Sequence, residues 1–161
     1  VAERWFDDFA AGERFTTAGC TLSEAQILAF ALDWDPQPFH LDKTFAEAGP
    51  YGGLIASGFQ TLLVSFRLWH AAGVINAASI GSPGMDELRW TAPVRPGDTL
   101  HVEAEVLETK ASRSKPDRGT AVIAYAVVNQ KGDEVMTYRV THLLRRRPAA
   151  QADGAAAGRR G

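Results

Sequence analysis

Cysteine is all but missing from this chain. Cys20 stands alone among 161 residues, which excludes an intrachain disulfide and any zinc or iron–sulfur centre built on several thiolates. Histidine is also scarce, with four residues, and no pair of histidines or carboxylates stands at metal-ligand spacing, so no metal is expected. Charge of one sign is missing too. Seventeen Lys and Arg against 19 Asp and Glu leave a net −2, with no basic excess to bind nucleic acid by bulk charge. No uninterrupted apolar run reaches the ~18 residues of a membrane span. The opening Val1-Ala-Glu-Arg-Trp-Phe-Asp-Asp8 carries acids where a secretory signal needs a basic and then an apolar stretch. The expectation is a cytoplasmic protein with no nucleic-acid or membrane partner. A glycine-rich phosphate loop and a Gly-x-Ser-x-Gly elbow are also lacking.

What is present reads as one globular domain: 45% of residues are hydrophobic and 22% charged, with no linker rich in Pro, Gly and Ser. The domain is expected over 1–147, followed by a flexible Ala/Gly/Arg tail at 148–161. Ser23-Glu-Ala-Gln26 has the form of a capping box, and Ile27, Phe30, Ala31 and Trp34 give the following helix one apolar face. Asp35-Pro36-Gln37-Pro38 ends it, since proline removes a donor and pushes its predecessor out of the α region. Asp42 is placed to cap a short helix closed by Gly49-Pro50. A long helix is expected from Ser57-Gly58 to Gly73. Leu62, Leu63, Phe66 and Trp69 form its stripe, and Val64 and Leu68 widen it toward burial on most sides.

From about residue 85 the pattern changes to strands. Leu100, Val102, Ala104 and Val106 alternate with His101, Glu103 and Glu105, the period of a half-buried antiparallel strand. Residues 88–92, 120–129 and 135–144 are further strand candidates, with 14–20 joining them. Pro96-Gly97 suits a type II turn and Gln130-Lys-Gly-Asp133 a hairpin. One long helix and several antiparallel strands predict an α+β fold, a curved sheet wrapped around the helix.

The segment with most chemical content is Asp35-Pro36-Gln37-Pro38-Phe39-His40-Leu41-Asp42. On an extended loop stiffened by two prolines, the carboxylate and imidazole can converge on one water or one substrate carbon. The same residues also suit a bland role, Asp35 closing a helix and His40 packing beside Phe39 and Leu41. His70, in the apolar helix, reads as a core or interface residue, and His101 lies on the polar side of its strand. His142 has no acidic neighbour in sequence. Arg145-Arg146-Arg147, and more weakly Arg113, Lys115 and Arg118, read as solvated charge or as contacts to phosphate.

Together with Gly53-Leu-Ile-Ala-Ser57-Gly58 and Pro93-Val-Arg-Pro-Gly97-Asp98-Thr-Leu100, this segment resembles the MaoC-like dehydratases, the hot-dog-fold family that includes the (R)-specific enoyl-CoA hydratases. The resemblance runs from about Phe6 to Leu144. It implies reversible addition of water across a trans-2-enoyl thioester, coenzyme A being part of the substrate and no separate cofactor being needed. The family's Asp-x4-His pair falls on Asp35 and His40, and its backbone oxyanion donor on Gly58. Two positions depart from the (R)-hydratases: Gln37 replaces an Asn, and Ser57 replaces a common His. Gln37, Phe39, Tyr51, Leu54, Ser57 and Phe59 are the expected substrate-binding residues. A hot-dog acyl-CoA thioesterase and a non-catalytic acyl-CoA-binding module remain alternatives. Free sheet edges with no second helix layer imply a homodimer or a higher even-numbered assembly.

Overall fold

A computed structural model of the chain describes residues 2–149. The tail expected at 148–161 lies outside the described residues except for its first two.

Local signals in the sequence place most elements. Ser23 caps α1 (Glu24–Trp34), its hydroxyl accepting from the Gln26 N–H while Gln26 Oε1 accepts from the Ser23 N–H. Two short helices follow, α2 (Pro38–Leu41) and α3 (Lys43–Ala48), the latter capped by the Asp42 carboxylate on the Phe45 N–H. The expected extended loop over 35–42 therefore contains one helical turn. Pro38 opens it at the first helical position, where a missing N–H costs nothing and φ is already set. The long helix, α4 (Gly58–Ala71), starts where expected and ends two residues before Gly73.

The strands are β1 (Arg14–Thr16), β2 (Cys20–Thr21), β3 (Ser79–Gly81), β4 (Met85–Trp90), β5 (Thr99–Ala111), β6 (Arg118–Val128) and β7 (Glu134–Arg145). They form one antiparallel sheet in the order β1-β5-β6-β7-β3, with β2 also on β5 and β4 also on β7. The strand expected at 14–20 is split in two, and β3 is a short strand with no period to announce it. Gly97 at φ +89 completes the turn into β5, its following residue Asp98 donating from N–H to the Arg95 carbonyl.

The sheet curves around α4, the hot-dog arrangement. Along β5 the buried residues are Leu100, Val102, Ala104 and Val106, and along β6 they include Ala121, Ile123, Tyr125 and Val127. Trp69 of α4 meets the Tyr125 ring edge-on at 5.2 Å, and Tyr125 stacks on Tyr138 at 4.7 Å. Two expectations of burial are corrected. Trp34 is 76% exposed, and α4 is not buried on most sides, since Leu63 and Phe66 are 56% and 53% exposed. The face that meets the sheet is Thr61, Ser65, Leu68 and Trp69. Ser65 on that face is satisfied by the sheet, its Oγ lying 2.6 Å from the Tyr138 hydroxyl, and of the expected stripe Leu63 and Phe66 turn outward while Trp69 is buried.

His142, on β7, is buried with Nε2 at 2.7 Å from the Tyr125 hydroxyl. Burial pushes its imidazole down to about 4, and the charge of His70 acts in the same direction. An unfolded histidine protonates near ~6.5, so the folded state loses stability as pH falls from that value toward 4 and no further below it. Urea titrations should show His142 accounting for a loss of about 2 kcal/mol between pH 7 and pH 5. The His142→Asn variant should have a correspondingly flatter pH dependence.

Candidate active site

Asp35 and His40 are brought together by backbone constraints before any side chain contributes. Asp35 ends α1, its N–H donating to the Ala31 carbonyl, and its φ of −148° turns the chain out of the helix. Gln37, between the two prolines, donates its N–H to the Asp35 carbonyl at 2.7 Å and accepts from the His40 N–H at 2.9 Å. The result sets His40 Nε2 at 3.2 Å from Asp35 Oδ2, with the imidazole 5% and the carboxylate 12% exposed.

The chain entering α4 closes the arrangement. Ile55 donates its N–H to the Phe39 carbonyl, and Ala56 to the carbonyl of Val94 beyond β4. The Ile55 carbonyl lies 2.7 Å from His40 Nδ1. A carbonyl only accepts, so Nδ1 carries a proton and Nε2 is the nitrogen left to exchange one. With Nε2 facing a carboxylate oxygen, a proton lies between the two groups, since two lone pairs would repel. Ser57 is fully buried. Its hydroxyl donates to Asp35 Oδ2 at 2.6 Å while accepting from the Phe59 N–H at 3.2 Å. Gln37 Nε2 donates to the other oxygen, Oδ1, at 2.8 Å. Burial pushes the Asp35 carboxyl up, but the hydrogen bonds from Ser57 and Gln37 and the charge and hydrogen bond of His40 outweigh it. The net effect holds Asp35 below its ordinary value of 3.8.

This pair lines a cavity of about 420 Å³ whose walls include Gln37, Phe39, Tyr51, Ile55, Gly58, Phe59, Thr61 and Trp90. Phe39 meets the His40 ring edge-on at 4.5 Å and lies tilted against Tyr51 at 5.7 Å. Tyr51 is carried by a loop that Arg95 grips through the Tyr51 and Gly53 carbonyls. Gly58 is the first residue of α4, where the N–H has no acceptor within the helix. Ser57 caps Phe59 and leaves the Gly58 N–H free at the positive end of the helix.

Of the residues singled out in the sequence, Asp35, His40, Gly58, Gln37, Phe39, Tyr51 and Phe59 share this cavity. Leu54 and Ser57 are buried and are not among its lining residues, and Ser57 acts instead on Asp35. Trp90 is the residue that sequence reasoning missed. A side chain at position 58 would collide with the Trp90 indole, so the ring requires a glycine there. Phe59 packs edge-on against the same ring at 5.9 Å. Nothing in the period of β4 signals this; the only cue is its position just before the Pro93-to-Leu100 motif. Arg146 and Arg147 point elsewhere, pairing with Asp7 at 3.5 Å and Asp8 at 2.7 Å, and Arg118 pairs with Asp117. Among the described residues no group of three or more His, Cys, Asp or Glu could hold a metal, and no helix is long and apolar enough to cross a membrane.

An acid–imidazole pair facing a free helix-terminal amide across one cavity is an arrangement for proton transfer beside a developing oxyanion. The chain belongs to the MaoC-like domain family, whose model matches residues 8–129, and that family contains hydratases and dehydratases. The chain is 34% identical over 140 residues to the uncharacterized protein YdeM of Bacillus subtilis, covering 87% of this chain and 98% of that one. It is 32% identical over 123 residues to 3-hydroxybutyryl-CoA dehydratase of Methylorubrum extorquens, covering 71% and 68%. The crystal structure of the MaoC-like dehydratase from Rhodospirillum rubrum superposes with a TM-score of 0.81 at 37% identity, covering 90% of this chain and 99% of that one.

Ser57→Ala removes a donor to Asp35 and the cap of α4 at once. Chemical denaturation should show it destabilised by about 1–2 kcal/mol. The Asp35 carboxyl, followed by NMR, should titrate at higher pH than in the parent protein.

Proposed function

We propose that this protein adds water reversibly across the double bond of a trans-2-enoyl thioester, enoyl-CoA being converted to (R)-3-hydroxyacyl-CoA. The observation that carries the reading is the 3.2 Å contact of Asp35 with His40 on the wall of a cavity that also holds Gly58. Hydration needs a nucleophilic water at C3, a proton for C2 and a partner for the enolate oxygen. Asp35 holds the water and accepts its proton, His40 delivers a proton from Nε2 to C2, and as product leaves, Asp35 gives its proton to the water refilling the cavity and His40 takes one from it. Charge and protons balance over the cycle. Delivery of both groups from one side of the substrate gives syn addition. The Gly58 N–H receives the thioester oxygen as negative charge builds on it, a role worth about 2.7–4 kcal/mol where such donors have been removed.

The test is spectrophotometric. Purified protein should bleach the enoyl absorbance of a short trans-2-enoyl-CoA without releasing thiol. Asp35→Asn and His40→Ala should each lower kcat at least a hundredfold while remaining folded by circular dichroism. Release of free thiol would point to a thioesterase, and near-parental rates in both variants would remove the two side chains from the mechanism.

A second copy of the chain completes the molecule in this reading. Phe59, Leu63 and Phe66 recur along the outer face of α4 and are each more than half exposed, and Met85 and Trp90 of β4 are 41% and 48% exposed. Such a stripe on a helix whose other face already meets its sheet is an association surface. Sedimentation should give a dimer or a multiple of it, and Leu63→Glu combined with Phe66→Glu should shift it toward the monomer.

A further inference from the structure

We infer that Gln37 is a positioning residue which fixes the Asp35 oxygen on which the reacting water sits; the inference rests on the hydratase reading above. A carboxylate offers about two lone-pair directions at each oxygen. At Asp35, Oδ2 is fully engaged, accepting from the Ser57 hydroxyl at 2.6 Å and facing His40 Nε2 at 3.2 Å. Oδ1 carries one hydrogen bond only, from Gln37 Nε2 at 2.8 Å. The open position on Asp35 is therefore the second lone pair of Oδ1, beside the Gln37 amide and on the wall of the cavity that both residues line.

Without the Gln37 amide, the carboxylate is held through Oδ2 alone and is free to swing about that anchor. With it, both oxygens are pinned and the plane of the carboxylate is set. Gln37 is suited to this because its backbone is held on both sides, although its side chain is exposed. Prolines flank it on both sides, its N–H is tied to the Asp35 carbonyl, and its carbonyl is tied to the His40 N–H. A single residue thus spans both members of the pair.

Two effects of this hydrogen bond have opposite signs, and the sign of the rate change separates them. Donation from Gln37 favours the charged carboxylate, so it makes Asp35 a weaker base. If tuning basicity were its whole contribution, removing the donor would speed proton uptake. If it positions the carboxylate, removal slows turnover although the base has become stronger, because a misplaced water of even ~1 Å is costly.

Gln37→Met keeps the length of the side chain and deletes the donor. We expect kcat to fall about ten- to a hundredfold with KM within twofold of the parent, while the Asp35 carboxyl resonance titrates at higher pH in the substrate-free protein. Gln37→Glu, which puts an acceptor and a like charge at the same place, should move that titration further and slow turnover more. An unchanged or increased kcat in Gln37→Met, a loss confined to KM, or an unmoved Asp35 titration overturns the role of Gln37. Failure of the parent protein to hydrate any enoyl-CoA is a different result and sinks the hydratase reading instead.

Discussion

A carboxylate and an imidazole with their polar edges facing at 3.2 Å stay there only if each is held by something other than the other. In this protein each has its own anchor, and both anchors come from the four residues entering one helix. The Ile55 carbonyl fixes the imidazole through Nδ1, and the Ser57 hydroxyl fixes the carboxylate through Oδ2. The pair is therefore a property of how α1 and the strand-like approach to α4 pack together, with α2 as the short bridge between them. Desolvation alone would make such a carboxylate easier to protonate; the donors around it reverse that sign.

The amino end of α4 serves three functions within a few ångströms. Ser57 caps the helix and holds Asp35, Gly58 leaves an amide without an internal acceptor, and Phe59 carries the wall outward to meet Trp90. The sheet supplies the remaining constraint. β4 pairs with β7, and the last residue of β4 puts its indole against the Cα of Gly58. A glycine at this position thus answers a steric demand from the protein itself, independently of how closely a substrate approaches.

The backbone was largely legible from the sequence, because its signals are local. The capping box at Ser23, the Asp42 cap, the period of two along β5 and the Pro–Gly turn before it each arise from neighbouring residues and reappear at those places. What was not legible depends on distant neighbours. Leu63 and Phe66 on α4 were misread because an apolar stripe normally marks the core side, whereas here a serine and a threonine join Leu68 and Trp69 against the sheet, Ser65 satisfied by Tyr138. The candidate site divides in the same way. Asp35 and His40 stand out through two prolines and a fixed spacing. Trp90 lies 32 residues beyond Gly58, and no property of strand β4 by itself shows which helix end it will cover. The basic residues at the end of β7 suggested phosphate, yet Arg146 and Arg147 are matched by Asp7 and Asp8 near the start of the described chain.

That match has an architectural meaning. Arg146 and Arg147 bind Asp7 and Asp8, so the beginning and the end of the described chain are latched side by side, away from the cavity. From Asp7 to Arg147 the described chain is nearly a closed loop. Residues near Asp8 and Arg147 could be joined by a short connector and the backbone opened afresh at the exposed bend between β5 and β6 without disturbing the contacts around Asp35. The same adjacency makes tandem duplication inexpensive in linker length, because a second domain can begin close to where the first one finishes.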